Sequence, residues 1–204
     1  MKSIIYEERE IEDERLELAD KEGNYYLGPN LTLRRCTVVT RVSAGWLHIL
    51  PTRFIDCTIQ VKQELKHHDW SEAFLKGCRF TGRLTGCDFG HRLPHMPGRE
   101  NGGIKDCDFS EARLSYCRFH GCDMRTLRLP PWPCFTILDP LGRSRELSRL
   151  EWPGGRVPIT IKDPINEPPS TVALTLFAPT FAERSGTTPE ALKAFLEKLD
   201  GVVY

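Results

Sequence analysis

Between Gly102 and Leu129 the large apolar residues recur at every fifth position: Ile104, Phe109, Leu114, Phe119, Met124 and Leu129. Two places before each stand Gly102, Cys107, Ala112, Cys117, Cys122 and Leu127, all small except the last. Most of the residues between them are charged or small and polar. This period is neither the 3.6 of a helix nor the 2 of a strand. A chain that turns a corner every five residues can send one large and one small side chain inward on each side. Four such sides make a square coil of about 20 residues, and stacked coils pair as parallel strands about 4.8 Å apart.

The pattern extends upstream with faults. Ala73 with Leu75, Cys78 with Phe80, and Cys87 with Phe89 fit it, as do Cys57 with Ile59, Thr52 with Phe54, Cys36 with Val38, and Leu31 with Leu33. One step is shortened to four residues, through Gly82 and Leu84. Departures fall at Arg41, Lys62, Arg92 and Pro97. Cys36, Cys57 and Cys78 are spaced 21 apart and are expected to stack on one face, with Cys87 and Cys107, 20 apart, on another. The stretch from Leu31 to Leu129 resembles the pentapeptide-repeat family, whose motif A-(D/N)-L-x-x often carries Cys in place of Ala. The resemblance implies a mainly β fold, a right-handed quadrilateral β-helix over residues 31–129.

The flanks are expected to be separate pieces. Residues 1–30 read as an N-terminal cap, an acidic helix or a β-hairpin, with the turn at Lys21-Glu22-Gly23-Asn24 favouring the hairpin. Such a cap would cover the open strand edges of the first coil. Three interruptions, Arg41–Leu50, Gln63–Trp70 and His91–Asn101, read as loops leaving the coil. Pro130-Pro131-Trp132-Pro133 ends the ladder and opens an α+β C-terminal subdomain, residues 130–204. There Arg149–Ile161 reads as strand, turn, strand, and Pro164–Pro169 as a linker-like loop. Thr171–Phe177 reads as β. Thr188 should cap a helix that begins at Pro189, shows Leu192, Phe195, Leu196 and Leu199 on one face, and ends near Gly201.

Charge changes the picture more than composition does. The 28 basic and 28 acidic residues balance, yet residues 1–22 hold nine acids against four bases. From Lys76 to Arg128 there are ten bases and six acids. The acidic run reads as a solvated face, with a docking tail for a basic partner as the alternative. Seven of the eight cysteines (all but Cys134) take the small inward position and read as core. The tightest pair, Cys117 and Cys122, lacks the spacing of a zinc site. His67, His68 and Asp69 are consecutive, without a spaced partner, and read as solvated loop. No catalytic motif, metal set or cofactor fingerprint is found, so the expectation is no enzyme, no metal and no cofactor. The first residues show no uninterrupted apolar run, and no stretch approaches a membrane span, which points to a bacterial cytoplasm.

A rigid rod without chemistry is expected to bind another protein, most specifically a toxin that it neutralises as an immunity protein or antitoxin. The alternatives are a DNA mimic that modulates topoisomerases, which the family resemblance implies, and a nucleic-acid binder using the arginine surplus. A strongly negative rod would suit the first and a denser basic footprint the second, so nucleic acid ranks low. A homodimer through the C-terminal element is a further expectation. Trp46, Trp70, Arg92, His95, Met96 and Arg99 sit where the repeat does not require them, and are the candidate contact residues.

Overall fold

The computed structural model describes residues 2–92 and 102–204. It is a β-solenoid of about four turns with a few short helices toward the C-terminus. In chain order its strands are β1 (Lys2–Tyr6), β2 (Arg9–Glu12), β3 (Arg15–Leu18), β4 (Gly23–Leu27), β5 (Leu31–Arg34), β6 (Thr37–Thr40), β7 (Leu47–Ile49), β8 (Thr52–Ile55) and β9 (Thr58–Lys66). They continue with β10 (Ala73–Lys76), β11 (Arg79–Thr85), β12 (Asp88–Gly90), β13 (Gly103–Lys105), β14 (Asp108–Ser115) and β15 (Cys117–His120). Three parallel stacks result. The first wall is β13-β10-β8-β5-β2, the second is β14-β11-β9-β6-β3, and the closing wall runs β1-β4-β7 in the early turns and β12-β15 in the late ones.

Registered stacking turns the five-residue steps into columns. Ile11, Leu33, Phe54, Leu75 and Ile104 lie over one another in the first wall. Leu16, Val38, Ile59 and Phe80 form the second column, and Phe109 stacks on Phe80 with ring centroids 4.7 Å apart. Leu65, Leu84 and Leu114 make a third, and Trp70, Phe89 and Phe119 a fourth. All of these side chains are buried. The shortened step at Gly82 is a real feature of the wall: its φ is +96°, and a Cβ there would lie 2.0 Å from the Val61 carbonyl oxygen. Glycine lets the backbones close to that distance.

The N-terminal expectation needs correction. Residues 2–27 are no separate cap: β2 and β3 pair in parallel with β5 and β6, and β1 pairs with β4, so the first coil begins at once. β3 and β4 do not pair with each other as a hairpin would. Strand edge does not remain bare of charge either. Glu10 meets Arg34, Glu12 and Asp13 meet Arg35, and Glu17 meets Arg41. The acidic run is the outward face of coil one, lying against the arginines of coil two.

Two of the expected loops also belong to the coil. Arg41–Leu50 makes a single 3-10 turn at Ala44–Trp46 and rejoins the sheet as β7. Of Gln63–Trp70 the first half continues β9 to Lys66 and Asp69 bridges to Asp88, with Leu65, His68 and Trp70 buried. Leu65, Trp70, Leu75 and Phe80 keep the five-residue step, so the ladder passes straight through QELKHHDW. Cys107 stacks above Cys78, since Asp108 N–H donates to the Cys78 carbonyl, and not above Cys87 as its spacing suggests. The interruption after Gly90 lengthens that coil. The same backbone pairing puts Cys117 above Cys87, through Arg118 N–H.

Burial of His68 has a consequence in solution. Desolvation lowers its pKa to about 4, against a smaller opposing pull from Asp69. The unfolded chain therefore takes up a proton near pH 6.5 that the folded chain refuses until about pH 4. Stability is full above pH 6.5 and falls on acidification toward pH 4, by about 3 kcal/mol at most. Urea titrations at pH 7 and pH 4.5 should show this slope in the wild type and its near absence in His68→Leu.

The ladder of fully buried large residues ends at Phe119, two steps before the Leu129 at which the sequence pattern ends. Beyond β15, Asp123 caps a 3-10 turn at Met124–Thr126 by accepting from Arg125 N–H, so Met124 and Cys122 are only half-buried. The C-terminal region then closes the stack through β16 (Cys134–Leu138), β17 (Thr171–Phe177) and β18 (Val202–Val203). β17 pairs antiparallel with β15, which extends the closing wall to β12-β15-β17-β16-β18. Helices α1 (Ser144–Leu147), α2 (Ile159–Lys162), α3 (Ala178–Ser185) and α4 (Pro189–Leu196) share a second apolar cluster with Phe135, Ile137 and Trp152. Thr188 caps α4 by accepting from Ala191 N–H. That helix ends at Leu196, before Gly201, which instead leads into β18. Arg149–Ile161 contains no strand. Trp152 is drawn inward against Phe181 and Phe195, and Gly154 approaches so closely that a Cβ would lie 1.8 Å from Ser185 O.

Candidate functional site

Two features of the surface and its margin have functional character. One is a polar network where the closing wall meets the C-terminal region. Asp88 on β12 accepts two hydrogen bonds from Arg118 on β15, at 2.7 and 3.0 Å. His120 on the same strand donates from Nε2 to Asp88 Oδ1 at 2.9 Å, and its Nδ1 lies 3.2 Å from Thr171 Oγ1 on β17. Arg118 also donates to Glu167 at 3.0 Å, and Thr160 donates to the other oxygen of Glu167. Strand alternation explains the placement: Phe119 points inward, so Arg118 and His120 flank it. Burial alone would raise the Asp88 pKa, but the hydrogen bonds from His120 and Arg118 outweigh it and hold the carboxyl below its ordinary value.

An Asp–His–Thr line resembles hydrolytic machinery, yet its geometry serves a different end. His120 is 0 % exposed and both ring nitrogens face residues of the network. Thr171 also donates to Pro168 O at 2.7 Å. The imidazole is enclosed by these partners. The network is a clamp: it ties β12 and β15 to β17 and to the segment that carries Thr160 and Glu167.

The second feature is the outward side of the first wall. Alternation places Glu10 and Glu12 outward on β2, Thr32 and Arg34 on β5, Arg53 and Ile55 on β8, Phe74 and Lys76 on β10, and Gly103 and Lys105 on β13. The wall therefore changes sign along its length, acidic at the first coil and basic beyond it. Phe74 lies over Gly103, and the Arg53 guanidinium sits 4.6 Å above the Phe74 ring.

Residues 105–126 match the family model for pentapeptide repeats (8 copies). The match falls in the late coils of the solenoid, and the earlier coils share their five-residue step. No curated protein matches the chain.

The repeat explains the thiols. Cys36, Cys57 and Cys78 each donate to the carbonyl of the large inward residue one coil below, Ile11, Leu33 and Phe54, at 3.3–3.4 Å. Cys87 and Cys117 do the same toward Leu65 and Leu84, at 3.6 and 3.4 Å. Cys134, expected outside the ladder, continues that second column by donating to Leu114 O at 3.5 Å. Beyond the last repeat, β17, antiparallel to β15, lies between β15 and the strand that carries Cys134. Burial pushes the Cys117 thiol far above its ordinary value and Cys122 up to about 12. All eight cysteines are free, and among the described residues no group of three His, Cys, Asp or Glu is placed to hold a metal. Alkylation of the native protein followed by mass spectrometry should find Cys107 and Cys117 unmodified while half-buried Cys122 reacts slowly. Zinc retained in stoichiometric amount after dialysis would contradict this.

Of the contact residues anticipated from the interruptions of the repeat, three lie within the described residues. Trp70 is 2 % exposed, packed among Phe54, Phe80 and Phe89, and is corrected to a core residue. Large aromatics fill the inward position as well as Leu or Phe does. Trp46 is half-buried and packs against the core from its 3-10 turn. Arg92 lies 3.5 Å from both Asp69 and Asp88, at the margin of the clamp. His95, Met96 and Arg99 lie outside the described residues. Of the three described residues, Trp70 is core, Trp46 borders the core and Arg92 borders the clamp. Sequence reasoning missed Arg53 and Phe74, whose signal was an outward aromatic and an outward arginine one coil apart in register.

Proposed function

We propose that the chain is a non-enzymatic protein-binding module that neutralises a partner protein, in the manner of an immunity protein or antitoxin. Pentapeptide-repeat solenoids are repeat scaffolds, typically without catalysis. The observation that carries the reading is the change of sign along the first wall, from Glu10 and Glu12 to Arg53, Lys76 and Lys105. A DNA mimic needs negative charge along its whole length, and a nucleic-acid binder a continuous basic track. A flat wall with separated signs and an aromatic centre suits one orientation of one folded partner. Inhibition follows from occupation, because the polar groups best suited to chemistry are committed to the clamp.

The test is co-expression with the product of an adjoining open reading frame that arrests growth when expressed alone. Restored growth and co-purification as a stoichiometric complex are the expected results. Persistent arrest, with protection of a topoisomerase or DNA binding that falls steeply with salt, would replace this reading by one of the nucleic-acid-related alternatives.

A further inference from the structure

From the same wall we infer the chemistry of what it binds: a short acidic segment of a protein, seated over Arg53, Phe74, Lys76 and Lys105. The inference rests on the reading of the chain as a protein-binding module and adds the partner's character. Lys76 and Lys105 are register partners on neighbouring strands. Like charges directly opposite one another in a sheet are destabilising, and packing does not ask for them at outward positions. Among the described residues neither lysine, nor Arg53, is within ion-pair distance of a carboxylate. By contrast Arg34, one coil nearer the N-terminus, is neutralised by Glu10. Three unneutralised cations therefore surround a half-buried phenylalanine and Ile55, and one of them already stacks on the ring. An aromatic with a stacked arginine at the centre of a flat patch is the kind of anchor that dominates protein interfaces.

Dimensions and borders narrow the occupant. From β8 to β13 the patch crosses two strand spacings, about 10 Å, the reach of three or four extended residues. Glu10 and Glu12 bound it at one end, and Asp56 and Asp106, both exposed, follow the strands at the next corner. A long polyanion such as a nucleic-acid duplex would have to cross those carboxylates. A short acidic stretch on a protein surface need not.

Fluorescence anisotropy with a labelled random copolymer of glutamate and tyrosine tests this at low and moderate salt. The full chain is expected to bind it. Arg53→Glu with Lys76→Glu should weaken binding at least about tenfold. The milder pair Lys76→Gln with Lys105→Gln should weaken it by a smaller factor, and guards against a folding defect in the first. Arg83→Glu on the second wall should leave affinity unchanged. Equal losses in the Arg83 variant, no loss in either wall variant, or tighter binding of a duplex oligonucleotide would each overturn the inference. Growth rescue separates the two levels. A wall variant that still rescues with undiminished affinity for the partner removes this surface but leaves the inhibitor reading, whereas failure of the wild type to rescue removes the latter.

Discussion

Phe109→Ala is expected to destabilise the protein by about 3–5 kcal/mol. Phe109 is 0 % exposed and lies at the meeting of two columns. Its ring stacks on Phe80 at 4.7 Å and meets Phe89 and Phe119 edge-on at 5.2 and 5.5 Å. Alanine would leave a cavity lined by the Phe80, Phe89 and Phe119 rings, whose backbones are held in paired strands with little freedom to collapse. Each coil also rests on the next, so loss at this level is felt by the stack as a whole. Phe109→Leu keeps a large inward side chain and should cost less, about 1–1.5 kcal/mol. Urea denaturation measures both. A loss below about 1 kcal/mol for the alanine variant would mean that the aromatic columns do not hold the coils together.

The second large effect is expected at Asp88. Asp88→Ala removes the carboxylate between Arg118 and fully buried His120, and breaking one partner of such a pair costs about 3–5 kcal/mol. Arg118 retains Glu167, which moderates the loss on its side. Asp88→Asn preserves the shape but not the charge, and should recover only a minor part. Limited proteolysis should then cleave between residues 160 and 177, where Glu167 and Thr171 lose their anchor, before it cleaves the coils. The wild-type clamp has a pH signature too. Because the folded Asp88 pKa lies below the ordinary carboxylate value, its contribution is complete above about pH 4 and is lost as the pH falls further. That range lies below the one governed by His68, so the two effects separate in a pH series.

The repeat was legible wherever the inward residue was Leu, Ile or Phe and its neighbours polar, as from Ile104 to Phe119. It was illegible where a correct step wore an unusual residue. Trp70 stands five after Leu65 and five before Leu75, yet between His68, Asp69 and Ser71 it looks like surface. At the N-terminus Ile11 and Leu16 hold the same spacing, but acids crowd the outward positions, and the arginines that neutralise them lie 22–24 residues away. Local composition cannot show such pairs. Cys134 was unreadable because its column is completed from β16, beyond the prolines that end the repeat, in a strand with no five-residue period. The clamp was out of reach for a related reason: Asp88 is separated from His120 by 32 residues and His120 from Thr171 by 51, across the end of the repeat. In the first wall, Arg53 and Phe74 were visible as letters, but only register places one over the other.

Recognition through the outward first wall, as proposed, is tested most directly by lysine footprinting of the complex with a partner recovered in the growth-rescue experiment. Acetylation is compared in the free and bound states by mass spectrometry. Lys76 and Lys105 are expected to lose most of their reactivity on binding, while Lys62, Lys66 and Lys198, exposed on other surfaces, keep theirs. Unchanged labelling of Lys76 and Lys105 together with protection at Lys62, Lys66 or Lys198 would contradict the account.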